Sequence, residues 1–107
     1  MKTIEFSYGG KKLHLYFNGA AMFALDDMNE GRSEDQPKVE DEMQSISPQG
    51  FDALAKVAVV LAEQGELCRR FLQYPRSRVP AADELLQLLS PVQMLGLRSA
   101  VLKAIIL

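Results

Sequence analysis

The sequence predicts an α+β domain: an N-terminal β-hairpin packed against a small bundle of four to five helices, mostly helical overall. Three observations carry this. Residues 2–17 alternate apolar and polar around Gly9-Gly10. Beyond Pro48 the apolar residues recur every three or four positions. Serine-proline pairs at Ser47-Pro48 and Ser90-Pro91 mark helix starts, since serine caps and proline needs no donor at the first helical position. The 107 residues fit one domain, 1–107, with 48% hydrophobic and 24% charged residues, ordinary for a globular chain.

In the hairpin, Ile4, Phe6 and Tyr8 share a face with Leu13 and Leu15 if a two-residue Gly-Gly turn pairs Tyr8 with Lys11. The other face then sets Glu5 opposite His14 and Thr3 opposite Tyr16. A lone hairpin is marginal in water, so helices must cover its apolar face. Asn18 can cap a first helix from Gly19, with Ala21, Met22, Leu25 and Met28 at helical spacing and Gly31 as a stop. Residues 29–47 read as a mobile acidic loop. The stretch Asp26 to Gln44 holds eight of the fourteen acids and only two bases, Arg32 and Lys38, with Gly31, Pro37 and few large apolar residues. The remainder holds six acids and ten bases, so a mildly basic body carries an acidic loop.

From Ser47-Pro48, the spacing of Phe51, Leu54, Ala58, Leu61 and Ala62, broadened by Val57, Val59 and Val60, predicts the central, most buried helix. Gly65 either ends it or marks a close contact, and a second segment covers 67–72 before Pro75. Residues 80–89 form a short helix with Asp83 and Glu84 near its positive end. The last helix covers 92–106.

Composition excludes several functions. A net charge of −2 and a pI of about 5.3 argue against a domain that binds nucleic acid by bulk positive charge. One cysteine forms no internal disulfide, and one Cys with one His builds no zinc site. No apolar run approaches the ~20 residues that span a bilayer, and the first residues lack the apolar core of a signal peptide. A cytoplasmic protein without cofactor is expected.

Catalysis finds no constellation, so the chain is not expected to be an enzyme. His14 faces Glu5 as a cross-strand ion pair rather than an acid-base pair, having no nucleophile beside it. Cys68 reads as a small buried apolar residue, although Arg69 and Arg70 beside it would favour the thiolate. Neither phosphate-loop pattern occurs, and the acids of 34–42 lack calcium-loop spacing. Arg69, Arg70, Arg76 and Arg78, interleaved with Phe71 and Tyr74, form the one basic cluster. It suits a helix C-terminus, a nucleic acid, or an acidic partner surface, including the acidic loop of another copy. The apolar end Ala104-Ile105-Ile106-Leu107 either packs on its own core, binds another chain, or leads into further sequence.

The order of features is similar to a known family. The hairpin followed by Tyr16-Phe17-Asn18-Gly19-Ala20-Ala21-Met22-Phe23-Ala24-Leu25-Asp26-Asp27 resembles the F-N-x-x-A-(x)-x-A-L-E-E stretch of tail assembly chaperones of long-tailed bacteriophages and prophages, with two aspartates where the family has glutamates. A charged variable loop, a hydrophobic helix like 51–65, a segment like Ala81 to Pro91 and a last helix like Leu97 to Ile105 follow in the same order. The resemblance spans nearly the whole chain, each motif alone being mostly amphipathic pattern. It implies a non-enzymatic factor that binds the aggregation-prone tape measure protein, keeps it soluble, helps recruit tail tube protein and leaves before the virion is complete. Family members often have a longer frameshifted form.

Surface logic, not a family motif, puts partner contacts on the last helix at Leu95, Leu102, Ile105 and Ile106, with Arg69 and Arg70 as an electrostatic counterpart. Two readings compete with the chaperone: a structural head–tail connector or tail-completion protein, which would stay in the particle, and a small regulatory domain binding nucleic acid through Arg69 to Arg78.

Overall fold

The computed structural model describes residues 2–106. Its elements are β1 (Ile4–Tyr8), β2 (Lys11–Leu15), α1 (Gly19–Glu30), α2 (Val39–Glu42), α3 (Pro48–Phe71), α4 (Ala82–Leu88) and α5 (Pro91–Ile106). The α+β architecture is as the pattern predicts: a two-stranded antiparallel hairpin against five helices.

The hairpin register is Ile4↔Leu15, Glu5↔His14, Phe6↔Leu13, Ser7↔Lys12 and Tyr8↔Lys11. Gly9 and Gly10 hold φ of 51° and 75°, the two positive values that a tight primed turn requires. The apolar face lies on α5, where the Phe6 ring comes against Gly96.

Helix α3 is the axis of the molecule, touching β2 and each of the other four helices. Ser47 Oγ accepts from Gly50 N–H at 3.0 Å, and Pro48 occupies the first turn. Its Leu54, Val57, Leu61 and Ala62 are fully or almost fully buried. The helix does not stop at Gly65 but continues to Phe71. Gly65 is instead a point of contact: a Cβ there would strike the His14 carbonyl. One turn earlier, the Tyr16 N–H donates to the Leu61 carbonyl at 3.0 Å, so the edge of β2 lies directly on the α3 backbone. At the far end Gln73, at φ 65°, takes the left-handed position of a Schellman cap. Tyr74 N–H donates to Arg69 O at 2.9 Å and Gln73 N–H to Arg70 O at 3.0 Å.

The segment 29–47, expected as an acidic loop throughout, is partly helical and anchored. Val39 and Met43, four residues apart on and just after α2, are buried against the core. Asn29 holds the start of α2 with both ends of its amide: Oδ1 accepts from Val39 N–H at 2.8 Å and Nδ2 donates to Glu40 Oε1 at 2.8 Å. Arg32 donates to the Pro37 carbonyl at 2.9 Å and pairs with Glu42 at 3.0 Å. Three of the acids, Glu40, Asp41 and Glu42, therefore sit on a short helix, while Glu34 and Asp35 lie in the turn before it; Arg32 neutralises part of their charge. The final helix opens on a capping box. Ser90 Oγ accepts from Gln93 N–H at 3.2 Å, and Gln93 Oε1 accepts from Ser90 N–H at 2.9 Å.

Candidate partner-binding surface

Helix α5 is apolar on two sides. Met94, Leu97, Ala100, Val101 and Ala104 face the core. At helical spacing on the outer side run Val92, Leu95, Ser99, Leu102 and Ile106, steps of three, four, three and four. Val92 is 77% and Ile106 80% exposed, while Leu95 and Leu102 are half-buried. A helix that is apolar all round is ordinarily enclosed, so this outer stripe is a face with unmet burial. Arg98 and Lys103 are the only charges on α5, which has no acid. Arg98 is partly committed, donating to the Gln44 carbonyl at 2.7 Å.

The expected contact residues separate. Leu95, Leu102 and Ile106 lie on the outer stripe, but Leu102, like Ile105, is half-buried and packs in part against the core. Leu107 lies outside the described residues. Val92, the most exposed N-terminal member of the stripe, was missed, although its three-residue spacing to Leu95 was readable in the sequence. Arg69 and Arg70 are elsewhere. Helix α5 leaves the hairpin tip, where Leu89 and Gln93 border Tyr8, and runs past Phe6 toward Gln44, just before α3 begins. The two arginines close the other end of α3, a helix roughly 36 Å long.

Adjacent in sequence, the two arginines have different surroundings. Arg70 is exposed. Arg69 turns inward beside Glu66, which is 3% exposed. Glu66 Oε1 accepts from Ser77 N–H at 2.7 Å and lies 3.5 Å from Arg69 Nε. Arg69 Nη2 donates to the Pro75 carbonyl at 3.1 Å, and its guanidinium covers the Tyr74 ring at 5.3 Å. These bonds hold segment 72–81 as a strap across the end of α3. The arginine expected to meet a partner is thus an internal brace. Arg78 is likewise engaged, forked onto Glu84.

His14 belongs to the same neighbourhood. The register places it opposite Glu5 as expected, but the ion pair does not form: Glu5 binds Lys12 at 3.1 Å, and His14 is buried under α3. Burial pushes its pKa below the usual imidazole range, the Arg69 charge pushes it the same way, and Glu66 and Glu5 oppose weakly. Glu5 itself is held below the usual carboxylate range by its hydrogen bond to Lys12. Cys68 is buried, as a small apolar residue would be.

Among the described residues no three His, Cys, Asp or Glu side chains converge as a metal site, and no helix is long and apolar enough to cross a membrane. Compared with known families, curated proteins and solved structures, the chain finds no match.

Proposed function

We propose that this protein is a non-enzymatic assembly chaperone of a phage or prophage tail. It acts in the bacterial cytoplasm, binding the tape measure protein until tail tube protein is recruited around it. The observation that carries the reading is the outer stripe of α5, with Val92, Leu95, Leu102 and Ile106 spaced as an amphipathic helix presents its anchors. A long helical client offers the matching apolar faces, and the basic rim of Arg98 and Lys103 favours a client helix with flanking acids. The serial resemblance of the sequence to tail assembly chaperones supplies the identity of that client.

The test is co-expression with the large helical protein encoded beside this chain. The expected result is a soluble complex that co-purifies with the wild-type chain and is lost with the double variant Val92→Asp/Ile106→Asp. An insoluble neighbour in both cases, or a neighbour that is not long and helical, overturns the reading. Recovery of the chain in purified particles supports the connector instead. The nucleic-acid reading is weakened because Arg69 and Arg78 are both engaged within the chain.

A further inference from the structure

A second apolar surface lies where α1 crosses α3, and it carries opposite charge at its two ends. The side-chain amide of Asn18, which caps α1, donates to Gln64 Oε1 at 3.0 Å and so joins the start of α1 to the last third of α3. One turn along α1 from that joint stand Met22, 54% exposed, and Phe23, 73% exposed. Along α3, Leu67 and Phe71 follow Gln64 at steps of three and four, and Phe71 is 81% exposed. Beyond Phe23, α1 presents Asp26, Asp27 and Glu30, all exposed, and the helix contains no base. Beyond Leu67 the chain contains no acid until Asp83, and Arg70 and Arg76 stand exposed. None of these five charges forms an ion pair among the described residues.

We infer that this surface pairs with a second copy of the chain about a two-fold axis. The α1 half is apolar with acids alone, the α3 half is apolar with Arg70 and Arg76 outweighing the single acid Glu63, and both flank one joint. A two-fold rotation about the Asn18–Gln64 region lays α1 of one copy on the end of α3 of its partner, and repeats the contact in reverse. Phe23 and Met22 meet Leu67 and Phe71, while Asp26 and Asp27 face Arg70 and Arg76, twice over. The internal commitment of Arg69 and Arg78 leaves the outward arginines as the ones free to act. Glu63, exposed beside Leu67, is the one acid on the basic half and limits how closely the two copies approach. This surface is separate from the outer stripe of α5, so the inference stands without the chaperone reading.

The test is the mass of the chain in solution, measured by light scattering and sedimentation from low micromolar to near-millimolar concentration. The wild type is expected to be a dimer that weakens as salt rises. Reversing the acidic half (Asp26→Lys/Asp27→Lys) or the basic half (Arg70→Glu/Arg76→Glu) should each give a monomer. Mixing the two variants should restore a dimer containing one of each, because both contacts are then complementary again. All four positions are exposed, so circular dichroism should be unchanged. If either reversal unfolds the chain, Phe71→Ser replaces it, with a monomer expected. A monomeric wild type at every concentration, growth beyond a dimer, a dimer that survives the reversals or Phe71→Ser, or one abolished by Val92→Asp/Ile106→Asp overturns the inference.

Discussion

Helices α3 and α5 are the two longest elements and solve opposite problems. Helix α3 has a polar face and a buried one, and its buried face meets β2 and every other helix. Helix α5 is richer in apolar residues but shows almost no preference between its sides, burying one apolar stripe and exposing another. The amphipathic helix is therefore the one the fold depends on, and the uniformly apolar helix is the one with surface left to offer. Total hydrophobicity ranks the two helices in the wrong order for structural importance, because stability follows the area removed from water and not the apolar content of the segment.

The comparison breaks if the middle of α3 tolerates truncation. Leu61 is fully buried, and Leu61→Ala should cost about 2–5 kcal/mol, read as a fall in the denaturant midpoint at constant slope. The same truncation at half-buried Leu102 on α5 should cost clearly less. Equal losses would mean that α5 is as deeply built in as α3.

The buried polar end of α3 gives the next largest effect. Glu66→Ala leaves the Ser77 N–H without its acceptor and Arg69 without its counter-charge, at a cost of about 1–3 kcal/mol. Glu66→Gln keeps an acceptor for Ser77 and should cost less. Trypsin cleavage after Arg76 and Arg78 should accelerate with Glu66→Ala, since the strap then loses one of its polar anchors and keeps those of Arg69 and of Arg78 on Glu84. An unchanged cleavage rate would show that the strap does not depend on Glu66.

His14 makes a pH-dependent contribution. Its folded pKa is depressed, so the unfolded chain takes up a proton at higher pH than the folded one. Stability from this residue is complete above the ordinary value of 6.5 and is lost as pH falls from there through the depressed folded value. Wild-type unfolding midpoints should therefore decline as pH falls below the ordinary value of 6.5, and His14→Gln should flatten that decline. The carboxylates of Glu5 and Glu84, also held low, act only at lower pH and leave this window to His14.

What the sequence revealed divides along the same lines. The hairpin register was legible to the residue because alternation and a Gly-Gly turn are both local. So were the Asn18, Ser47 and Ser90 caps. Gly65 was ambiguous because what demands a glycine there is the His14 carbonyl, 51 positions away in the chain. His14 was misread for the same reason: strand alternation assigns it a face but does not reveal that the edge of its strand lies against α3. Val39 and Met43 are rare apolar residues in an acidic stretch, and their spacing of four is the signal for α2. Arg69 and Arg70 are indistinguishable by composition. Their different fates follow from the 100° between helical neighbours, which turns Arg69 toward Glu66 and Arg70 toward water.

The smallest expected effect on stability sharpens the comparison most. Val92 and Ile106 are largely exposed at the two ends of the outer stripe, so Val92→Asp and Ile106→Asp should each change folding stability by no more than about 0.5 kcal/mol. If the stripe serves only the fold, function should be equally unmoved. If it receives a client helix, each aspartate buries an unpaired charge in the interface, and the two together should abolish co-purification of the client while leaving the melting curve in place. Loss of binding without loss of stability is the signature of a face kept for a partner. Leu61→Ala supplies the opposite control, because a destabilised chain loses binding and midpoint together. A double variant that retains its client would move the binding surface off α5 altogether.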